Sequence, residues 1–488
     1  MITWGISANS HNAALAVFVD EKLAFASETE RFSGIKNDPH LNESIVEYAR
    51  NRYGDPDQVC WYENPWLKTA RQLWAGQGFQ DNNVKRYLKK YDIFAPIKIQ
   101  NHHHSHAAAG YHTSKFDDAC IIVIDAIGEF ECLTIWEGRA EKLKKKHSIK
   151  YPHSVGLWYS AMTQRCGLKP NEEEYILMGM AALGNPERLY KSILNDFIDS
   201  SSVFKLKQNL HRGCKDWRPD LISQQDIYDI AAATQAVYEM LLSNILMYSR
   251  RFTRSKNLVL MGGCALNCVA NTIAAKIFDN MWIMPAPGDN GSAIGAVLAE
   301  HPSWRYSQIP FSPYLGHDMG QVNSNSEIVN YLLDHKICGL ARGKAEFGPR
   351  ALGNRSLIAD PRGDNVKERV NAIKHREQFR PFAPAILAEL ASDYFDIPRG
   401  RDCDFMQHVY RCRRPDLFPA VVHFDGTSRV QTVPKDGSPF RLLLEEWHTR
   451  TGCPMLLNTS LNIKGQPMVN DIRDANAWES KYGVKVFN

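Results

Sequence analysis

The sequence predicts an α/β protein built from two domains. Short apolar runs end in Gly/Asp loops and feed helical stretches, as in "NLVLMGGCALN" (257–267) and "MWIMPAPGDNGSAIGAVLAE" (281–300). Such a strand–loop–helix plan, repeated, belongs to α/β cores. The chain of 488 residues is also long enough for more than one core.

In chain order, "ITWGISA", "AALAVFVD" and "EKLAFASE" read as three strands joined by polar turns, with the loop "NSHN" between the first two. "ACIIVIDAIGE" (119–129) is a buried-strand run that ends in Asp125 and then Gly128. "QQDIYDIAAATQAVYEMLLSNILMYSR" (224–250) has the apolar spacing of a long helix. The strand before Gly262 and Gly263, and the one before Pro287-Gly288-Asp289, each turn into a helix. The stretch 301–320, rich in Pro, Ser and Gly, reads as the linker, which gives domains 1–310 and 311–488.

The composition, 44% apolar and 23% charged, is that of a globular protein. No apolar run approaches the roughly 20 residues that cross a bilayer, and no membrane partner is expected. "MITWGISANS" lacks a basic leader and reads as a strand, so no secretory signal is expected. Eleven scattered cysteines without a CxxC pair suit a reducing cytoplasm. The net charge of +4 permits an anionic partner without requiring one.

"HHHSHAAAG" (102–110) places His102 and His106 four residues apart at the start of a helix, where both face one way and can clamp one metal ion. Asp125 and Asp289, at strand ends, are the carboxylates available to complete the set. His103 and His104 point elsewhere, as supporting groups or phosphate contacts. In the last third, "GKAEFGPRALGNRSLIADPR" (343–362) and "NAIKHREQFRPFAP" (371–384) interleave Arg350, Arg355, Arg362, Lys374, Arg376 and Arg380 with glycines and large apolar residues. Guanidinium forks match phosphate oxygens and glycines admit close backbone approach, so a triphosphate or acyl-phosphate site is expected. "DGTSRVQTV" and "LLNTSLNIKGQP" add Arg429, Ser460 and Asn462 as weaker signals.

The joint order of "ETERFSGIKND", "HHHSHAAAG", "IDAIGE", "ILMGMAALG", "MGGCALN", "GDNGSAIGA", "EFGPRALGNRS", "IKHREQFRPFAP" and "LNTSLN" resembles the O-carbamoyltransferase family of nodulation and antibiotic-tailoring enzymes. The resemblance spans nearly the whole chain. It implies an N-terminal carbamoyl-transfer domain of actin-like ATPase (ASKHA) fold and a YrdC-like C-terminal domain that makes carbamoyl-adenylate from carbamoyl phosphate and ATP. It also implies a metal held by His102, His106, Asp125 and Asp289. Iron(II) is favoured, with zinc or manganese open, and Mg2+ accompanies ATP. Arg350, Arg355, Lys374, Arg380, Arg429, Ser460 and Asn462 would hold the carbamoyl phosphate and nucleotide, with Lys374 and Arg380 catalytic. Gly262, Gly263 and Asn267 would cradle the adenylate in the first domain. His11, in the "NSHN" loop, is the nominated base for the acceptor hydroxyl.

The chain departs from the family pattern at Ile176, is short for the family, and has an abbreviated tail after Asn470. The acceptor is a small-molecule or sugar hydroxyl, or a hydroxymethylated pyrimidine in DNA. The last is suggested by the basic, aromatic-flanked stretches 69–91 and 139–150. A homodimer is left open. The rival readings are an actin-like sugar kinase or ATPase, which needs neither the HxxxH nor the arginine motifs, and a nucleic-acid-binding protein with a structural metal.

Overall fold

The computed structural model describes residues 1–199, 201–306, 310–363, 365–398 and 401–488; positions 307–309 of the expected linker lie outside the described residues. The fold is mixed α/β and divides into two compact units. The first comprises 1–33 and 37–312, and the second 34–36 and 313–488.

The first unit holds two five-stranded sheets. One runs β3 (Lys22–Glu28), β2 (Ala14–Val19), β1 (Ile2–Ser7), β4 (Gln58–Trp61), β5 (Ile97–Ile99). The other runs β10 (Asn280–Trp282), β9 (Asn257–Met261), β6 (Asp118–Gly128), β7 (Glu131–Arg139), β8 (Lys142–Lys150). In each, an antiparallel hairpin system joins parallel strands: β1 pairs with β2 antiparallel and β4 parallel, while β6 pairs with β7 antiparallel and β9 parallel. β6 is apolar on both faces, whereas β1 sets Ile2, Trp4 and Ile6 on one face and the small Thr3, Gly5 and Ser7 on the other; both strands are largely buried, as expected of strands covered on both sides.

The helices His102–Thr113 and Ser292–Glu300 are buried along most of their length, and small residues explain how closely they pack. A Cβ on Gly295 would lie 1.9 Å from the carbonyl oxygen of Ser105, and one on Gly5 of β1 would lie 1.9 Å from that of Ala293. The run Ala107-Ala108-Ala109-Gly110 is wholly buried; a Cβ on Gly110 would lie 2.5 Å from Met261 of β9. The small residues after the histidines therefore let their helix sit directly on the sheet.

The long helix Gln224–Ser249 starts at a capping box of Ser223 and Asp226. It is the one helix, among the described residues, long and apolar enough to cross a membrane, and most of it is buried inside the unit.

In the second unit, a six-stranded mixed sheet runs β18 (Gln431–Val433), β15 (Ala383–Leu387), β19 (Met455–Ser460), β14 (Arg355–Ala359), β12 (Ile337–Ala341), β20 (Val486–Phe487). Two short ribbons accompany it: β11 (Tyr314–Asp318) with β13 (Lys344–Glu346), and β16 (Val409–Arg411) with β17 (Thr427–Arg429). Its core includes the fully buried Trp447, Leu444, Leu456 and Ile386.

Candidate functional site

In the first unit, His102 and His106 lie one helical turn apart and face the ends of two loops. Asp125 sits where β6 begins to leave its regular pairing with β7, and Asp289 starts the turn before the Ser292–Glu300 helix. His102 Nε2 is 3.1 Å from His106 Nε2, 3.0 Å from Asp125 Oδ2 and 3.4 Å from Asp289 Oδ1. His106 Nε2 is 3.5 Å from Asp125 Oδ2 and 3.4 Å from Asp289 Oδ1. One donor atom from each of the four lies within 4.8 Å of the others. Both histidines are buried.

Burial alone would lower both imidazoles, but the Asp289 and Asp125 carboxylates outweigh it and hold His102 well above its ordinary value and His106 above. Burial likewise opposes charge on the aspartates, and the two imidazoles overcome it to hold both below the usual carboxylate range. Two carboxylates, Asp125 buried and Asp289 partly so, beside two Nε2 atoms that face each other form a donor set that needs positive charge at its centre. The residue types and closed spacing fit one divalent transition-metal ion.

Supporting groups surround the four. Glu129 Oε1 accepts the backbone N–H of His102 at 3.0 Å and that of Asn64 at 2.7 Å. Glu63 Oε2 lies 4.0 Å from His102 Nδ1, and Glu63 Oε1 holds Lys68 Nζ at 2.5 Å. Asn290, next to Asp289, donates to buried Glu28 at 3.0 Å. The sequence motifs contained Glu28 and Glu129 but carried no sign of these roles, because each acts through a neighbour distant in sequence. His103 binds Thr134 Oγ1 at 2.9 Å and His104 stacks on Trp136, so both turn toward β7.

The glycine loop serves this centre. Gly262 has φ 90°, and a Cβ there would lie 2.2 Å from the Ile124 carbonyl oxygen. This close, left-handed turn delivers the Gly263 N–H to Asp125 Oδ1 at 3.2 Å. Asn267 is occupied differently from the expectation. Its amide exchanges hydrogen bonds with Gln235 at 2.9 and 3.1 Å and caps the Cys268–Ala274 helix through Ala270 N–H. His11 is exposed, in a loop whose Asn9 carbonyl takes the Lys68 ammonium at 2.7 Å.

In the second unit, one end of the sheet gathers most of the expected ligand residues. Register pairs Ser356 with Ser460, Ala383 with Asn458, and Ala385 with Gln431, two residues beyond Arg429. The bend after Arg350 is tied to the same end: Asn458 donates to the Ala351 carbonyl at 3.1 Å and Gln431 to that of Leu352 at 3.1 Å. Lys374 is buried there. Its ammonium donates to Ser460 Oγ (3.2 Å), Asn462 Oδ1 (2.8 Å), Asn462 O (3.0 Å) and the Ser460 carbonyl. Burial first, then Arg376 and Arg380, push Lys374 well below its ordinary value. Arg380 lies 3.5 Å from Glu377, and Arg429 Nε is buried without a hydrogen-bond partner among the described residues.

Arg355 departs from the expected role. It is fully buried, and each guanidinium nitrogen donates to backbone carbonyls, those of His317, Arg342, Gly343, Asn354 and Asn470. It ties its own strand to the segments at 317, 342–343 and 470 and has no donor left to offer a phosphate. The basic stretch 139–150 is also less free than its composition suggests. Lys145 pairs with Glu131, and Lys146 and Arg139 pair with Glu137.

The family profile "Carbamoyltransferase N-terminus" matches residues 72–298, and "Carbamoyltransferase C-terminus" matches 329–487. The chain is 31% identical to Nodulation protein U of Rhizobium tropici, covering 96% of this chain and 92% of that protein. It is 30% identical to Nodulation protein NolNO of Sinorhizobium fredii (strain NBRC 101917 / NGR234), covering 95% and 76%. It is 24% identical to the 3'-hydroxymethylcephem-O-carbamoyltransferase of Amycolatopsis lactamdurans, covering 95% and 94%.

Proposed function

The chain belongs to the O-carbamoyltransferase family, and from that premise we propose that it activates carbamoyl phosphate with ATP in its second unit and transfers the carbamoyl group to an acceptor hydroxyl in its first. The observation that carries this reading is that each unit holds one built polar centre of the required kind: two imidazoles with two carboxylates in one, a buried lysine with flanking arginines in the other. The reading assigns the first unit an actin-like fold and the second a YrdC-like fold.

Atom balance sets the order of steps. Carbamoyl phosphate loses phosphate to water, which leaves carbamate. A carbamate oxygen then attacks the α-phosphorus of ATP, and pyrophosphate leaves. Both substrates are polyanions, so clustered cations lower the barrier. Lys374 and Arg380 face the reacting phosphoryl and carbamoyl groups, while Arg350, Arg429, Ser460 and Asn462 position them. Asn462 and Ser460 orient the Lys374 ammonium, which their contacts already fix.

In the first unit, His102, His106, Asp125 and Asp289 would hold iron(II), with zinc and manganese as alternatives, and a bound ion would supply Lewis acidity. The acceptor hydroxyl attacks the carbamoyl carbon, AMP leaves, and His11 takes the hydroxyl proton. Gly262 and Gly263 keep backbone close to Asp125 and shape the adenylate approach.

The acceptor class is a small-molecule or sugar alcohol, supported by the relative named for a hydroxymethyl cephem. A hydroxymethylated base in DNA has weaker support, because the glutamate pairs of 139–150 neutralise much of that stretch. All eleven cysteines are free thiols, which supports a cytoplasmic location.

Incubating the protein with ATP and carbamoyl phosphate, without acceptor, tests the first half. Stoichiometric phosphate and pyrophosphate release supports the reading; ADP formation would point to a kinase instead.

A further inference from the structure

The helix Pro65–Trp74 is turned inside out. Its charged and amide side chains, Lys68, Arg71 and Gln72, are buried, whereas Trp66 is 81% exposed, Trp74 62%, Leu73 52% and Leu67 43%. Trp66, Ala70, Leu73 and Trp74 recur at the spacing of one helical face, and that face is the outer one.

The inversion is enforced by hydrogen bonds and is no accident of a loose segment. Lys68 binds Glu63 and the Asn9 carbonyl, and Arg71 binds the Glu129 carbonyl and Gln77. Gln72 binds Gln80 and Asn82. The outer ring of Trp74 is steadied from below by Phe130 and Tyr151 at 6.1 and 5.3 Å. Just beyond the helix, Phe79 is 77% exposed.

Cations border this face. Asn82 donates to Thr69 at 2.9 Å and to Gln72, so the following helix, Val84–Lys89, starts beside it. That helix buries Val84, Tyr87 and Leu88 and turns Lys85, Arg86 and Lys89 outward, with Lys90 after them. Arg86 is matched by Asp81 at 2.5 Å, while Lys85, Lys89 and Lys90 have no carboxylate partner among the described residues.

A tryptophan- and leucine-rich face beside a row of lysines has the chemistry of a helix that lies in the headgroup region of a bilayer. The geometry points to this surface, Pro65–Lys90, as a docking site for a membrane carrying anionic lipids, with Trp66, Leu67, Leu73, Trp74 and Phe79 entering the interface and Lys85, Lys89 and Lys90 meeting the headgroups. The lysines argue against a second copy as occupant, since it would bring the same positive edge. Single-stranded nucleic acid fits less well. Bases stack on aromatic rings, and the aliphatic Leu67 and Leu73 that share this face offer no stacking platform but suit acyl chains. The docking departs from the expectation of no membrane partner without asking for a spanning segment, and it stands independently of the proposed chemistry.

Co-sedimentation of the full chain with phosphatidylcholine vesicles, with and without phosphatidylglycerol, tests it without any substrate. The protein is expected to pellet with the anionic vesicles. The variants Trp66→Ser/Leu67→Ser and Lys85→Glu/Lys89→Glu should each cut that binding about tenfold. All these side chains are exposed, so the variants should keep the wild-type melting temperature. Wild type that stays in the supernatant with both vesicle types overturns the inference. So does a wild-type dimer that Trp66→Ser/Leu67→Ser makes monomeric, or a Trp66-dependent affinity for a single-stranded oligonucleotide that exceeds vesicle binding.

Discussion

Glu129 holds His102 in place through the backbone: its Oε1 accepts the His102 N–H at 3.0 Å at the start of the helix that carries both histidines. Asn101, at the N-cap position, makes no side-chain cap bond, so Glu129 does from the β6–β7 turn what a local cap would do. Glu129→Ala should leave this N–H and that of Asn64 orphaned and weaken metal binding about 10–100-fold. Glu129→Gln keeps an acceptor oxygen and should retain most of the affinity. Metal titration against a competing chelator distinguishes them, and equal affinities for all three proteins would refute the role.

His106→Ala should abolish carbamoyl transfer and leave pyrophosphate release from ATP and carbamoyl phosphate near the wild-type rate, because the proposed activation groups lie in the other unit. Parallel assays of pyrophosphate and carbamoylated acceptor provide the readout. Loss of both activities together would refute the division of labour.

Gly295→Ala should destabilise the protein by about 1–3 kcal/mol and weaken metal binding, since the new methyl would lie 1.9 Å from the Ser105 carbonyl oxygen, a backbone atom. Thermal unfolding checks the first effect and metal titration the second. Wild-type values in both would mean that the two helices separate freely.

The Glu389–Arg441 pair sets a pH dependence for the second unit. Arg441, 2% exposed, is bound by both Glu389 oxygens, at 2.8 and 2.5 Å. That hydrogen bonding lowers Glu389 from 4.5 to about 2. The native state thus binds fewer protons than the unfolded chain between those values. The stabilisation is present above about 4.5 and is lost as pH falls toward 2. Glu389→Gln should cost about 1 kcal/mol at neutral pH, a modest figure because Glu389 is partly exposed. The melting-temperature gap from wild type should close in acid.

Lys374→Met should weaken carbamoyl phosphate binding, because it removes the ammonium that Ser460 and Asn462 hold at that end of the sheet. Calorimetric titration of both proteins with carbamoyl phosphate measures the loss, and equal affinities would refute the role.

The sequence by itself determined the mixed α/β class, the long Gln224–Ser249 helix and the HxxxH spacing, because each is a local pattern in apolar period or side-chain type. It also named Asp125 and Asp289, whose positions at strand ends are readable one segment at a time. Only the tertiary structure decided the rest. Arg355 reads as a phosphate ligand in its motif but is surrounded by carbonyls from segments over a hundred residues apart. Asn267 reads as a loop ligand but lies against Gln235. Glu129 acquires its role from an amide 27 positions away. The Pro65–Trp74 helix has an ordinary amphipathic pattern, and nothing local says which face turns inward. Acceptors at buried Glu63 and Glu129 and at half-buried Asn9 make that choice, since desolvating Lys68 and Arg71 is tolerable only where such oxygens already wait.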